Sequence, residues 1–141
     1  MTAGETALYI MQTFLPYPDF VRSAEVLDYR RLGKQRLEVI QLIKESWPYH
    51  PVTKMWRKHK YQLAEYGKEI CLEWIVRGYK DNCLVVILEL QEQYEDTGLP
   101  PWFGDKAFHL AHQSNLVRKK PEFYGPMFPG VPDNIPYIYP I

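Results

Sequence analysis

Hydrophobic positions recur along most of this chain at steps of three and four, the period of helix faces turned toward a core. The clearest stretch covers 54–77, where Trp56, His59, Leu63, Tyr66, Ile70 and Trp74 keep that spacing and Gly78 supplies a stop. On this stripe His59 reads as a satisfied core residue. Upstream, Ser23 reads as the N-cap of a short helical piece ending at residue 27, and Asp28 as the cap of a longer helix over 29–45. The longer helix carries an inner stripe of Leu32, Val39, Ile40 and Ile43, with Arg36 at its border. A third helix follows Asp81 to about residue 94, where DTGLPP breaks it. A fourth follows Asp105 to about residue 119, with one more turn over 121–124.

The segments between and around these helices are proline-rich. MQTFLPYPDF, residues 11–20, has two prolines and reads as extended or turn-like, and WPYHP at 47–51 reads as a turn. The closing stretch GPMFPGVPDNIPYIYPI carries five prolines, which rule out regular helix or central strand. Phe128, Val131, Ile135, Tyr137, Ile138 and Tyr139 make it too apolar for a free tail, so a strap packed across the helices is expected. The pattern predicts an all-α fold: one compact domain over 11–141, with about four main helices and an extended strap of prolines and aromatics. Residues 1–10 read as a leader.

Composition adds that the core should be substantial. In 141 residues, 46% are apolar and 15% aromatic, far from the polar composition of disordered chains. No run approaches the roughly 18 apolar residues of a membrane span. The opening MTAGETALYI lacks the basic start and long apolar run of a secretory signal, so cytoplasm is the expected location. Cys71 and Cys83 fall within helical pattern and read as reduced core thiols. Seventeen basic and seventeen acidic residues cancel, but their placement is uneven. Arg30, Arg31, Lys34 and Arg36 form one basic run, Lys54, Arg57, Lys58 and Lys60 a second, and Arg118, Lys119 and Lys120 a third. Acids gather at Glu89, Glu92, Glu95 and Asp96. Such a chain either presents a phosphate-binding face or carries three solvated helix faces.

Three constellations could carry chemistry. Arg31, Lys34, Glu38 and Glu45 lie near one helix face, with Lys34 and Glu38 one turn apart. Spacing leaves open whether this is a surface ion pair or a catalytic carboxylate among phosphate-holding cations. Asp105, His109 and His112 are spaced for one side of a helix. No third strong ligand stands nearby, so no metal is assigned, and a metal-dependent hydrolase is the weakest reading. Arg118, Lys119 and Lys120 lead into Phe123 and Tyr124, which suits either phosphate contact with base stacking or anchoring of the strap. No P-loop, G-x-G-x-x-G or G-x-S-x-G is present.

LDYRRLGKQRLEV, the run from His50 through EICLEWIVRGY, and SNLVRKKPEFYG, in this order, resemble the pyrimidine-dimer DNA glycosylases, the phage endonuclease V-like family. Together they span about residues 27 to 125. The resemblance implies an all-helical, cofactor-free domain, expected as a monomer, that kinks damaged double-stranded DNA and displaces a nucleotide from the stack. It implies a primary amine that attacks the sugar C1′ carbon, a Schiff base that permits strand cleavage, and a carboxylate that assists; Glu38 matches the carboxylate. The family's amine is the mature N-terminus, partly neutral near pH 7. Here the candidates are Thr2 after loss of Met1, Met11 if the chain starts there, and Lys34 as a substitute. Arg31, Arg36, His50, Arg118 and Lys119 are expected to contact DNA, with Tyr124 as a stacking residue. Leu37 stands where the phage enzyme has an arginine beside its glutamate. The alternative is a nucleic-acid-binding module that keeps the fold without the chemistry.

Overall fold

The computed structural model describes residues 11–140, and among them the chain is all-α. Seven helices follow in order: α1 (Phe20–Val26), α2 (Tyr29–Ile43), α3 (Pro51–Trp56), α4 (Lys60–Val76), α5 (Leu84–Gln91), α6 (Lys106–Lys119) and α7 (Pro121–Met127). The excess over four comes from short pieces and from one break. The stretch 54–77 is not continuous, because tertiary contacts overrule its periodicity at 57–59. The Thr97 hydroxyl donates to the Lys58 carbonyl (2.9 Å), and Glu45 draws Arg57 and Lys60 to itself at 2.9 and 2.6 Å. His59 is therefore no core residue; it occupies the N-cap position of α4, half-buried.

The helix starts follow from side-chain caps. Asp19, rather than Ser23, caps α1 by accepting the Arg22 N–H at 2.9 Å. Ser23 is buried, with its hydroxyl donating to the Tyr17 carbonyl. Asp105 caps α6 and Asp81 accepts the Leu84 N–H at the head of α5, as their positions suggest. Helix α2 ends where Glu45 takes a left-handed φ of 53°. There the Ser46 and Glu45 N–H groups bond back to Gln41 and Leu42, closing the last turn.

Helix α4 is the central element and packs on α1, α2 and α5. Close approach depends on Gly67: a Cβ there would lie 2.6 Å from Val39 Cγ1 of α2 and 3.1 Å from Ile87 Cδ1 of α5. One hydrophobic cluster joins these helices to Phe108, Leu116, Val117, Tyr124 and Phe128 near the C-terminus. The strap is present as expected. Its Ile135 N–H donates to Ser114 Oγ (3.0 Å), the Ile135 carbonyl accepts from Asn115, and Tyr137 packs edge-on against His112. Cys71 and Cys83 are buried free thiols. No described helix is long and apolar enough to cross a membrane.

The least anticipated feature is the segment 11–15, every residue of which is buried although its backbone belongs to no helix. A buried extended chain has no ladder to satisfy its N–H and C=O groups, so side chains must do it. Gln35 donates to the Gln12 carbonyl (2.6 Å) and accepts from the Phe14 N–H (2.8 Å). The Tyr66 hydroxyl donates to the Phe14 carbonyl at 2.6 Å. His112 Nδ1 accepts the Leu15 N–H (3.0 Å), and His109 Nδ1 bonds the Leu15 carbonyl (2.8 Å). Trp56 Nε1 donates to Thr13 Oγ1 at 3.1 Å. These bonds explain why Gln35, Tyr66, His109 and His112 sit in a hydrocarbon core.

Candidate active site

Residues 30, 34 and 38 fall one turn apart on α2, so Arg30, Lys34 and Glu38 line up along one edge of the helix. The C-terminal turn of α6 brings Lys119 beside them and the buried segment brings Phe14. With Arg31, these six side chains line a cleft of about 300 Å³. Glu38 is its single carboxylate. It is 5% exposed, and its Oε2 accepts the Gln12 N–H at 3.2 Å.

Burial dominates the electrostatics of Glu38. Removing the carboxylate from water favours the neutral acid; the Gln12 N–H, Lys34 and Lys119 favour the anion. The balance lies with desolvation, and the pKa is pushed up to about 7. A carboxyl poised there exchanges protons in either direction at neutral pH. Lys119 shifts the opposite way. Its side chain is exposed, yet partial desolvation in the cleft, reinforced by Arg31, Arg118 and Lys34, holds its ammonium below the ordinary value.

Of the residues singled out in the sequence, the fold brings Glu38, Lys34, Arg31 and Lys119 together in the cleft. Arg31 also pairs with Asp28 at 3.0 Å. Met11 is buried in the core cluster, one residue from the amide that touches Glu38. Arg118 is exposed next to Lys119, with its guanidinium hydrogen-bonded to Asn115. Thr2 lies outside the described residues. Glu45 is drawn away into its pairs with Arg57 and Lys60.

Three expected DNA contacts are corrected by the geometry. Arg36 is committed to the interior: it pairs with Asp81 at 2.6 Å, and its guanidinium lies 4.5 Å from the Trp74 ring centroid. His50 is 1% exposed and caps α3, with Nδ1 accepting the Val52 N–H at 3.0 Å. Tyr124 is fully buried and cannot stack on a base. Its hydroxyl donates to the Asp28 carboxylate (2.5 Å) and accepts the Asp28 N–H (2.8 Å), tying α7 to the head of α2. Burial opposes ionisation of Asp28, but Tyr124 and Arg31 outweigh it and hold the carboxyl below its ordinary range.

Of the histidines proposed as metal ligands, His109 uses both ring nitrogens on the backbone and His112 uses its Nδ1. His109 bonds the Leu15 carbonyl and accepts the Gly104 N–H, His112 holds the Leu15 N–H, and Asp105 caps α6. Among the described residues no cluster of three or more metal-binding side chains forms. Burial, with His109 second, keeps His112 neutral down to about 3.

Sequence reasoning counted Arg30 in a basic run without assigning it to the site, and passed over Phe14 and Gln12. Arg30 carried a usable signal, since it precedes Lys34 and Glu38 by one and two turns. Phe14 and Gln12 carried none, because nothing local marks an extended segment as buried.

Comparison with known proteins adds one match. A family model described as pyrimidine dimer DNA glycosylase aligns with residues 11–86, just over half of the chain, and this span holds α1 to α4, the buried segment and Glu38. No curated protein and no solved structure gives a significant match.

Proposed function

Because the chain belongs to the pyrimidine dimer DNA glycosylase family, we propose that it excises damaged pyrimidines from double-stranded DNA, with Glu38 as the acid–base carboxylate and a primary amine as the nucleophile. The observation that carries the reading is a carboxyl at the base of a cation-lined cleft, desolvated until it titrates near neutrality. Arg30, Arg31 and Lys34 form a positive rim that would seat the phosphates flanking a lesion. A damaged step costs less to unstack than an intact one, which favours displacement of the lesion toward the cleft. Attack by an amine at C1′ expels the base. As positive charge develops on the sugar, the ionised fraction of Glu38 stabilises it and the protonated fraction supplies protons. The resulting Schiff base acidifies the C2′ proton and allows β-elimination, giving an associated abasic-site lyase activity.

A duplex carrying one ultraviolet-induced pyrimidine dimer tests this. Glu38→Gln should retain the affinity of the wild type and lose base release and strand cleavage by about 10²- to 10⁴-fold. Unchanged release would remove Glu38 from the chemistry.

One observation favours a second reading. Among the described residues, the nitrogen hydrogen-bonded to Glu38 is the backbone amide of Gln12, which is not nucleophilic. A nucleic-acid-binding module of the same fold would tolerate that, and it predicts salt-sensitive binding of duplex DNA with no turnover.

A further inference from the structure

The second basic run of the sequence, Lys54, Arg57, Lys58 and Lys60, takes no part in the Glu38 cleft, and neither does the WPYHP turn before it. The fold joins the two. Arg57, at the end of α3, donates through Nη2 to the Pro48 carbonyl at 2.5 Å, so the turn and the run share one corner of the molecule. A pocket of about 550 Å³ opens beside Arg57, and it has no lining residue in common with the cleft. Lys54, Arg57 and Lys58 stand along it, Met55 and Trp102 belong to its apolar wall, and none of the described residues lining it is acidic. Arg57 is engaged by Glu45, whereas Lys54 and Lys58 are exposed and form no ion pair among the described residues.

Trp102, Trp47 and Tyr49 accompany these charges. Trp102 is half-buried and backed by two rings, Trp56 edge-on at 5.0 Å and Phe108 at 4.7 Å. Trp56 is itself fixed, because its indole N–H is donated to Thr13. Trp102 is therefore a held surface, and a flat partner laid on it meets little ordering cost. Trp47 and Tyr49 are exposed on the turn, Tyr49 to 83%. The turn holds them there. The His50 N–H bonds the Trp47 carbonyl (3.1 Å), His50 caps α3, and Pro48 and Pro51 restrict the backbone.

We infer that this corner is a binding site for single-stranded nucleic acid, separate from the Glu38 cleft. Phosphates require cations that no carboxylate has already neutralised, and Lys54 and Lys58 supply them. Bases require flat faces, which Trp102 and Tyr49 supply. Paired DNA keeps the faces of its bases inside the stack, so a duplex uses the lysines and leaves the rings idle. An acidic peptide also uses only the charges. A single strand uses both, with a base in the pocket against Trp102, its phosphates on the lysines and a neighbouring base on Tyr49. The strand comes either as a separate molecule or as an unpaired stretch of DNA whose paired part lies elsewhere on the protein.

Fluorescence anisotropy of the full chain with labelled oligothymidylate of about twelve nucleotides tests the site. Trp102→Ala should weaken binding by about five- to a hundredfold, and Tyr49→Ala, whose ring is exposed and leaves the core untouched, by about fivefold or more. Replacing Lys54 and Lys58 together by Gln should make the dependence of log affinity on log salt shallower by about 1.4. An oligomer of the same length made of abasic residues should bind at least about fivefold more weakly than oligothymidylate. A duplex with an unpaired flank distinguishes the two sources of the strand. Tighter binding than to the fully paired duplex, lost in Tyr49→Ala, supports an unpaired stretch of the same DNA; a response confined to free oligothymidylate supports a separate strand. Failure to bind oligothymidylate, equal affinity for the abasic oligomer, or binding that Tyr49→Ala and Trp102→Ala both leave unchanged would overturn the inference. Displacement of oligothymidylate by polyglutamate of equal charge at the same concentration would overturn it in favour of an acidic peptide.

Discussion

Two extended, proline-bearing segments lie against α6, and neighbouring residues of that helix hold them. His109, His112 and Gln113 take the backbone at Leu15 and Pro16, while Ser114 and Asn115 take the backbone at Ile135. The first segment is buried throughout residues 11–15, whereas residues 129–140 are half-buried or exposed. The strap faces solvent along much of its length, so two side-chain anchors suffice there. The inner segment is shut off from solvent by burial and needs a partner for nearly every polar group, which explains the Gln, Tyr and His residues in the core. The same burial that demands these partners also desolvates Glu38. Scaffold and chemistry are thus coupled at the inner segment and independent at the strap.

Gln35→Leu should break the comparison most severely. It leaves the Gln12 carbonyl and the Phe14 N–H without partners in the core, and two such groups cost about 2–5 kcal/mol. Urea unfolding should show that loss, and base release should fall with it because Gln12 is the residue that touches Glu38.

A smaller effect comes from pH. The Glu38 carboxyl titrates near 4.5 when unfolded and about 7 when folded, so between these values the native state binds more protons and stability falls as pH rises. Glu38→Gln removes the proton uptake. Relative to wild type it should therefore gain on the order of 3 kcal/mol on going from pH 4 to pH 8, read from parallel urea titrations. His112 works with the opposite sign: folded, it stays neutral to about 3 against 6.5 unfolded, so its contribution is complete above pH 6.5 and drains as pH drops toward 3.

Gly67→Ala should cost about 1–3 kcal/mol in thermal or urea unfolding, since the new methyl group meets Val39. The mildest change is Ser114→Ala, which removes the α6 anchor of the strap at Ile135. Losing one half-buried hydrogen bond should cost about 0.5–1.5 kcal/mol and leave base release unaltered. Equal losses for Gln35→Leu and Ser114→Ala would erase the distinction between the two segments.

How far the sequence disclosed this architecture depended on the range of the contacts involved. Helical periodicity, the Asp105 cap and the apolar strap are local signals, and all three match the structure. The break at 57–59 was hidden because Thr97 and Glu45 cause it from outside the stretch. Arg36 and Tyr124 looked like DNA contacts because their partners, Asp81 and Asp28, lie 45 and 96 residues away in sequence. The inner segment was legible only as extended; its burial depends on side chains up to 97 positions distant. Glu38 was legible as a candidate by resemblance, but the desolvation that makes it chemically useful appears only once residues 11–15 are laid over it.

Titration of the Glu38 side-chain carboxyl, followed by carbon-detected NMR with Glu38→Gln identifying the resonance, tests the central claim most directly. A midpoint near 7 is expected. A midpoint at the ordinary glutamate value near 4.5 would mean that the carboxyl is solvated, and the cleft would lose the acid on which the account depends.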